Sequence, residues 1–365
     1  MRHLIFIAGI LLLLINCSDN REEVSVDFSS VDAYFHLVDQ LSESKMPSDS
    51  AWEGLFRTQG YKTLINDNNE NKQLYRELII ITYYPPAFHK QDSILNVVLL
   101  EDFSNIQEYY SKFILTNLLD TKSNMNELAY FRKEFDFNKV SKESKSILKS
   151  FLPNPIDSLI SVPKLNFACF EPDGYVRKYG IVLDLNKTYE QSNEELVGFF
   201  AHEMFHAYRT NFEKKDFMEL NNFTRQIDGL MNEGIADLIN KKDTTIEEDK
   251  LPEVIQNMYT NAFINTYSKL RELDSVTCSY LDGKISEKEF NDKMDGFFLF
   301  GGHPNGYYMT RLIAKCYMKP ELIANFYNTP GFFRIYNQCA MNCNEYVFSD
   351  RFMNYMIELE NKYFR

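Results

Sequence analysis

The run Glu194-Glu195-Leu196-Val197-Gly198-Phe199-Phe200-Ala201-His202-Glu203-Met204-Phe205-His206-Ala207-Tyr208-Arg209 contains the pattern H-E-x-x-H. At 3.6 residues per turn, His202 and His206 lie one above the other on one helix face, so both imidazoles can reach a single metal ion. Glu203 is turned about 100° from His202, near enough to contact a water on that metal without being a ligand. The chain has only 6 His in 365 residues. Composition alone yields roughly 0.008 such patterns, so chance is a poor explanation. Val197, Phe200, Ala201, Met204 and Tyr208 make the other sides of this helix apolar, which predicts burial. A metal is the most economical partner for two buried histidines and a carboxylate; a polar cluster joined only by hydrogen bonds is the competing reading.

Catalytic zinc takes three protein ligands and keeps one position open, so a third ligand is expected from a later element. In Met231-Asn232-Glu233-Gly234-Ile235-Ala236-Asp237-Leu238, Glu233 and Asp237 stand four apart and share one face of a second helix. Leu230, Ile235, Ala236 and Leu238 mark that helix as packed. Glu213 and Glu219 are rival ligands, but they lie near Lys214, Lys215 and Asp216, where exposure is expected.

H-E-x-x-H followed by Asn232, Glu233 and Asp237 resembles the gluzincin class of zinc metallopeptidases, the thermolysin-like group, with 26 residues between His206 and Glu233. The resemblance implies that Glu233 is the third ligand of one zinc per chain and that Asp237 orients His202. It further implies that a downstream Tyr or His stabilises the oxyanion of a tetrahedral intermediate. Gly301-Gly302-His303-Pro304-Asn305-Gly306-Tyr307-Tyr308 reads as a flexible approach to a helix start; Tyr307 is the first choice there, with Tyr308 and His303 as alternatives. More loosely, residues 162–336 resemble zinc-dependent peptidases found as lipoproteins in Bacteroidota-type bacteria and known from their H-E-x-x-H signature.

The implied chemistry is hydrolysis of a peptide bond by water activated on zinc, with Glu203 as general base. The rival is a non-catalytic surface lipoprotein that binds a glycan, peptide or host protein on its many aromatic side chains. A binder has no use for Glu203, which is neither ligand nor packing group in this scheme.

The elements that must position these groups are mostly helical. Apolar residues at helical spacing predict helices over 31–41, 73–84, 105–119 and 142–152, closed in two cases by Pro85-Pro86 and Pro153. Leu165 to Phe170 and Tyr179 to Leu185 read as strands joined through Pro172-Asp173-Gly174 into a small antiparallel hairpin or meander. Beyond Asn193 the pattern is helical almost to the end. The expected fold is α+β, predominantly helical, with a zincin-like core at 161–365 and a helical region at 29–160.

Before these stand Arg2, an apolar run from Leu4 to Ile15, and Leu14-Ile15-Asn16-Cys17. The run is too short to span a bilayer permanently, and the last four residues resemble a bacterial lipobox. The expectation is a signal peptide at 1–16, lipidation of Cys17 and a polar tether at 17–28. Acidic residues after Cys17 suggest an outer-membrane lipoprotein, surface-exposed in some related cases. Cys169, Cys278, Cys316, Cys339 and Cys343 are an odd set for an exported protein, leaving at least one thiol unpaired within the chain; Cys339 and Cys343 could bridge locally. A net charge of −13 repels phosphate backbones and argues against nucleic acid as a partner.

Overall fold

The computed structural model describes residues 25–100, 104–153, 164–241 and 253–365. The leader, Cys17 and the first part of the expected tether lie outside the described residues. Strand β1 (Val26–Asp27) opens the fold, followed by helices α1 (Ser29–Ser42), α2 (Gln59–Ile65), α3 (Asn69–Tyr83), α4 (Ile106–Ser123) and α5 (Phe137–Lys149). Then come β2 (Leu165–Ala168), β3 (Gly174–Arg177) and β4 (Gly180–Asp184). The second half is carried by α6 (Asn193–Arg209), α7 (Asn222–Asn240), α8 (Glu253–Ile264), α9 (His303–Lys315) and α10 (Thr329–Cys343). Further helices, among them Asp49–Arg57, Thr266–Leu281 and Asp350–Tyr363, complete the fold. The expected α+β fold with mostly helices is what is observed.

The sheet corrects the expected hairpin. Its order is β1-β2-β4-β3, and β2 and β4 run parallel, with Leu165 opposite Ile181 and Ala168 opposite Asp184. The antiparallel partner of β4 is the intervening β3, with Arg177 opposite Gly180 across a two-residue turn. The reason is in the burial: β2 is covered on both faces and β4 almost wholly so. Burial extends even to the polar Asn166 and Asp184, so neither strand has the solvent-facing side of a half-exposed hairpin. Gly180 sits at φ +124°, a backbone conformation that favours glycine at the turn's exit. At the other end Val26, inside the stretch expected to be tether, pairs with Leu165, and Phe28 stacks on Phe167 with ring centroids 4.9 Å apart.

One apolar core runs from Val31 through the sheet to Leu359, so the N-terminal helices and the second half share their interior. Helix α6 starts with a capping box between Ser192 and Glu195, and α7 with one between Asn221 and Thr224. From Leu196 onward α6 is buried at nearly every position. A bidentate pair locks α6 to α7: the Arg209 guanidinium donates to both oxygens of Asp228 at 2.9 and 2.5 Å, and its Nε donates to the Phe326 carbonyl. Thr329 at the start of α10 donates to Asp228 as well. Those bonds fix the register in which the two helices face each other.

The five cysteines of the described residues are thiols. Cys343 faces Cys316, Sγ to Sγ 3.3 Å, rather than Cys339, which turns to Met318.

Candidate metal centre

Helix α6 presents His202 and His206 on the face turned to α7, whose Glu233 approaches both. The Nε2 atoms of the two histidines are 3.0 Å apart. Glu233 Oε2 lies 3.1 Å from His206 Nε2 and 3.8 Å from His202 Nε2. A tetrahedral zinc with bonds of about 2.0–2.1 Å sets its ligand atoms about 3.3 Å apart, so these three donors form one face of such a site. Glu233 Oε2 is nevertheless buried without a hydrogen-bond partner. Two ring nitrogens and a carboxylate oxygen that converge this closely are better satisfied by a cation between them than by one another.

His206 is held from behind by a hydrogen bond, whereas His202 has a carboxylate beneath it with no hydrogen bond to its Nδ1. Asn232 Oδ1 lies 3.0 Å from His206 Nδ1, which fixes the ring so that Nε2 faces the centre. Asp237 lies beneath His202, Oδ1 to Nδ1 3.8 Å, and also faces Lys241 Nζ at 3.2 Å and accepts from the Tyr259 hydroxyl of α8 at 3.2 Å. Asn232 stands in the motif at sequence level, yet its grip on His206 needed the facing geometry of the two helices. Lys241 and Tyr259 carry no local pattern that marks them.

His303, the first residue of α9, is brought to the same centre. Its Nε2 is 3.1 Å from Glu233 Oε2 and its Nδ1 3.1 Å from Asp237 Oδ2, with its ring nearly parallel to that of His202. His202, Asp237 and His303 thus make a second group of three metal-capable side chains. The first group is the better cation site, because Asp237 is already engaged by Lys241 and Tyr259. The hydroxyl of Tyr307 donates to the Lys241 carbonyl at 3.3 Å, and that of Tyr308 donates to Glu345 at 2.6 Å. Glu213 and Glu219 are exposed and outside both groups.

A family model described as "Putative zinc dependent peptidase (DUF5700)" matches residues 52–345. The chain belongs to this family. Neither the curated proteins nor the solved structures contain a match to it.

The charges of this DUF5700 centre are strongly coupled. Burial lowers His202, and His206 beside it adds to the effect, so that it titrates near about 3. Burial opposes protonation of His206 and His303 too, but the carboxylates of Glu233 and Asp237 prevail and raise them to about 9 and about 10. Burial works against ionisation of Glu233, yet the neighbouring His206 and His303 hold it well below the usual carboxylate range. Asp237 is likewise drawn down to about 2 by His303 and Lys241 against the cost of burial. Without a metal, the cluster balances two imidazolium ions against two carboxylates.

Glu203 is different. It is 4% exposed, and its Oε2 has no hydrogen-bond partner. Burial pushes it up to about 8, with Asp173 and Glu233 adding to the rise and His206 opposing it. The carboxyl lies against the backbone of β3: a methyl group added at Gly174 would come 2.9 Å from its Cδ and Oε1. Such a group can hold a proton or give it up near neutrality, as a general base requires.

Proposed function

We propose that the protein is a gluzincin-type zinc peptidase on a zincin-like core, with His202, His206 and Glu233 holding one zinc and Glu203 acting as general base. The observation that carries this reading is the convergence of three metal-ligating atoms, one of them a buried carboxylate oxygen flanked by two ring nitrogens at 3.1 Å, beside a second buried carboxyl that belongs to neither group of metal-capable side chains. When bound there, zinc supplies Lewis acidity toward a carbonyl group and toward water.

The chain's own groups do the rest. Glu203 takes a proton from the attacking water and passes it to the leaving amine, a task suited to a carboxyl whose pKa burial has raised. Asn232 and Asp237 keep the two imidazoles in orientation. His303 stands beside the ligands with both ring nitrogens on carboxylates; once Glu233 turns to a bound cation, its Nε2 would be free to donate to a developing oxyanion.

An extended peptide is the substrate class that fits. Strand β3 is last in the sheet order and packs on α6 beside Glu203. Its outer edge offers backbone groups for pairing with a substrate strand. A leader at 1–16, cleaved to leave Cys17 as the lipidated first residue, makes the protein a lipid-anchored component of the outer membrane; no helix among the described residues is long and apolar enough to cross a membrane. Fractionation of a Cys17→Ala variant tests the anchor: release from membranes is expected, and retention would refute it. Metal analysis of the purified soluble form, paired with cleavage of a broad peptide library, tests the activity. About one zinc per chain with reproducible cleavage is expected; absence of both would refute the reading.

A further inference from the structure

Glu171 is 1% exposed and sits in the connection from β2 to β3. Three tyrosine hydroxyls from three elements donate to it. Tyr75 of α3 donates to Oε2 at 2.6 Å; Tyr110 of α4 and Tyr175 of β3 donate to Oε1 at 2.5 and 2.8 Å. A buried carboxylate needs such donors, because an unpaired one bears a large desolvation cost. Their number satisfies most of its acceptor capacity and leaves it little freedom to move.

The rest of this connection is tied down from the same side. Tyr61 of α2 donates to the Cys169 carbonyl at 2.8 Å, and Asn117 of α4 donates to the Phe170 carbonyl at 2.5 Å. The Phe170 amide donates to Asp184 Oδ2, the Asp184 amide to the Asp173 carbonyl, and the Asp173 amide to the Glu171 carbonyl. Two residues after Asp173's hydrogen-bond partner Glu171, the connection reaches the Asp173-Gly174 peptide. Gly174 is the backbone on which the Glu203 carboxyl rests, so tightly that even a methyl group would overlap it and Phe199.

We infer that Glu171, with Tyr75, Tyr110 and Tyr175, is a positioning device for Glu203: helices α3 and α4 clamp the 171–174 connection and so fix the wall against which the base is held. This inference rests on the reading of Glu203 as general base. It gives the N-terminal helices a task at the site although they contribute no residue to it. Misplacement of a catalytic group by about an ångström can cost about 100-fold in rate, so a wall this close to the base is enough to matter.

The test removes hydroxyls without removing rings. In the zinc-loaded full chain, Tyr75→Phe/Tyr110→Phe should keep its zinc and its peptide KM, while kcat falls by about 10- to 100-fold. Hydrogen exchange gives a readout independent of turnover: the amides of Phe170 and Asp184 should exchange faster in the variant, while those of α6 keep the wild-type rate. Tyr175→Phe, which leaves both helices untouched, is the fallback if the double variant does not fold, and the same pattern is expected of it. Wild-type exchange in the variants would overturn the clamp whatever the activity. Faster exchange with unchanged kcat would overturn its role toward Glu203. A wild type that cleaves no peptide would instead count against the peptidase reading, while the exchange data still decide whether the tyrosines hold the connection.

Discussion

Gly234 and Gly306 meet backbone to backbone where α7 crosses α9. A Cβ on Gly234 would come 2.5 Å from the Gly306 carbonyl oxygen, and one on Gly306 would come 2.1 Å from the Leu230 carbonyl oxygen. Only that close approach lets His303, one turn earlier on α9, reach Glu233 and Asp237 on α7. The Thr310 hydroxyl seals the crossing by donating to the Gly234 carbonyl at 2.8 Å.

Gly306→Ala should therefore destabilise the protein by about 1–3 kcal/mol or more, since two backbones must separate to admit one methyl group. Gly54→Ala is the control. It is an exposed position of the helix Asp49–Arg57 with nothing within 4 Å of its added Cβ, and should be neutral or stabilising by up to about 1 kcal/mol. Denaturant midpoints of the two variants check the contrast; equal midpoints would mean the helix crossing is not as tight as described.

His206→Ala and Glu233→Ala should each abolish stoichiometric zinc binding, because each removes one of three converging ligand atoms. Asn232→Ala and Asp237→Asn touch only the groups behind the ligands and should weaken zinc by about 10- to 100-fold. Competition with a chelator measures the series. Full zinc content in both ligand variants would overturn the assigned centre.

The metal-free protein should lose stability as pH rises. His206 and His303 keep their protons to about 9 and about 10, above the ~6.5 of an unfolded imidazole. Their pairing with Glu233 and Asp237 thus contributes fully below pH ~6.5 and is lost as pH rises through those folded values. Glu203, raised to about 8, works in the same sense, because its neutral form is the one that burial favours. Asp237, drawn down to about 2, sets the acid side: its contribution is complete above ~3.9 and disappears as pH falls. The melting temperature in the presence of chelator should decline from pH 6.5 to 10, and saturating zinc should flatten that slope by displacing protons from its ligands. Identical slopes with and without zinc would contradict this.

What could be read in the sequence follows from how local each signal is. His202 and His206 lie one turn apart on one helix with Glu203 beside them, and Glu233 and Asp237 repeat that spacing on another, so periodicity placed each pair on one face while the gluzincin resemblance joined the two. Strand order could not be read, since β2 and β4 are buried on both faces and lack the alternation that separates a hairpin from a parallel pair. The run from Gly301 to Tyr308 reads as a flexible approach to a helix start. Gly306 is instead a packing requirement, and Gly301 and Gly302 at φ +63° and +98° turn the chain into α9. The bonds of Tyr75 and Tyr110 to Glu171 span 96 and 61 residues, and nothing in the neighbourhood of any of the three residues announces them.

The most direct test of the account is Glu203→Gln. The exchange is nearly isosteric, spares the three ligands and places a neutral group where burial already disfavours charge, so zinc content and melting temperature should stay close to wild type. Cleavage of the best library peptide, measured for both proteins at equal zinc occupancy, should fall by ~10²–10⁴-fold in the variant, the typical loss when a general base is removed. Equal rates in the two proteins would show that Glu203 is not the base and would contradict the mechanism proposed here.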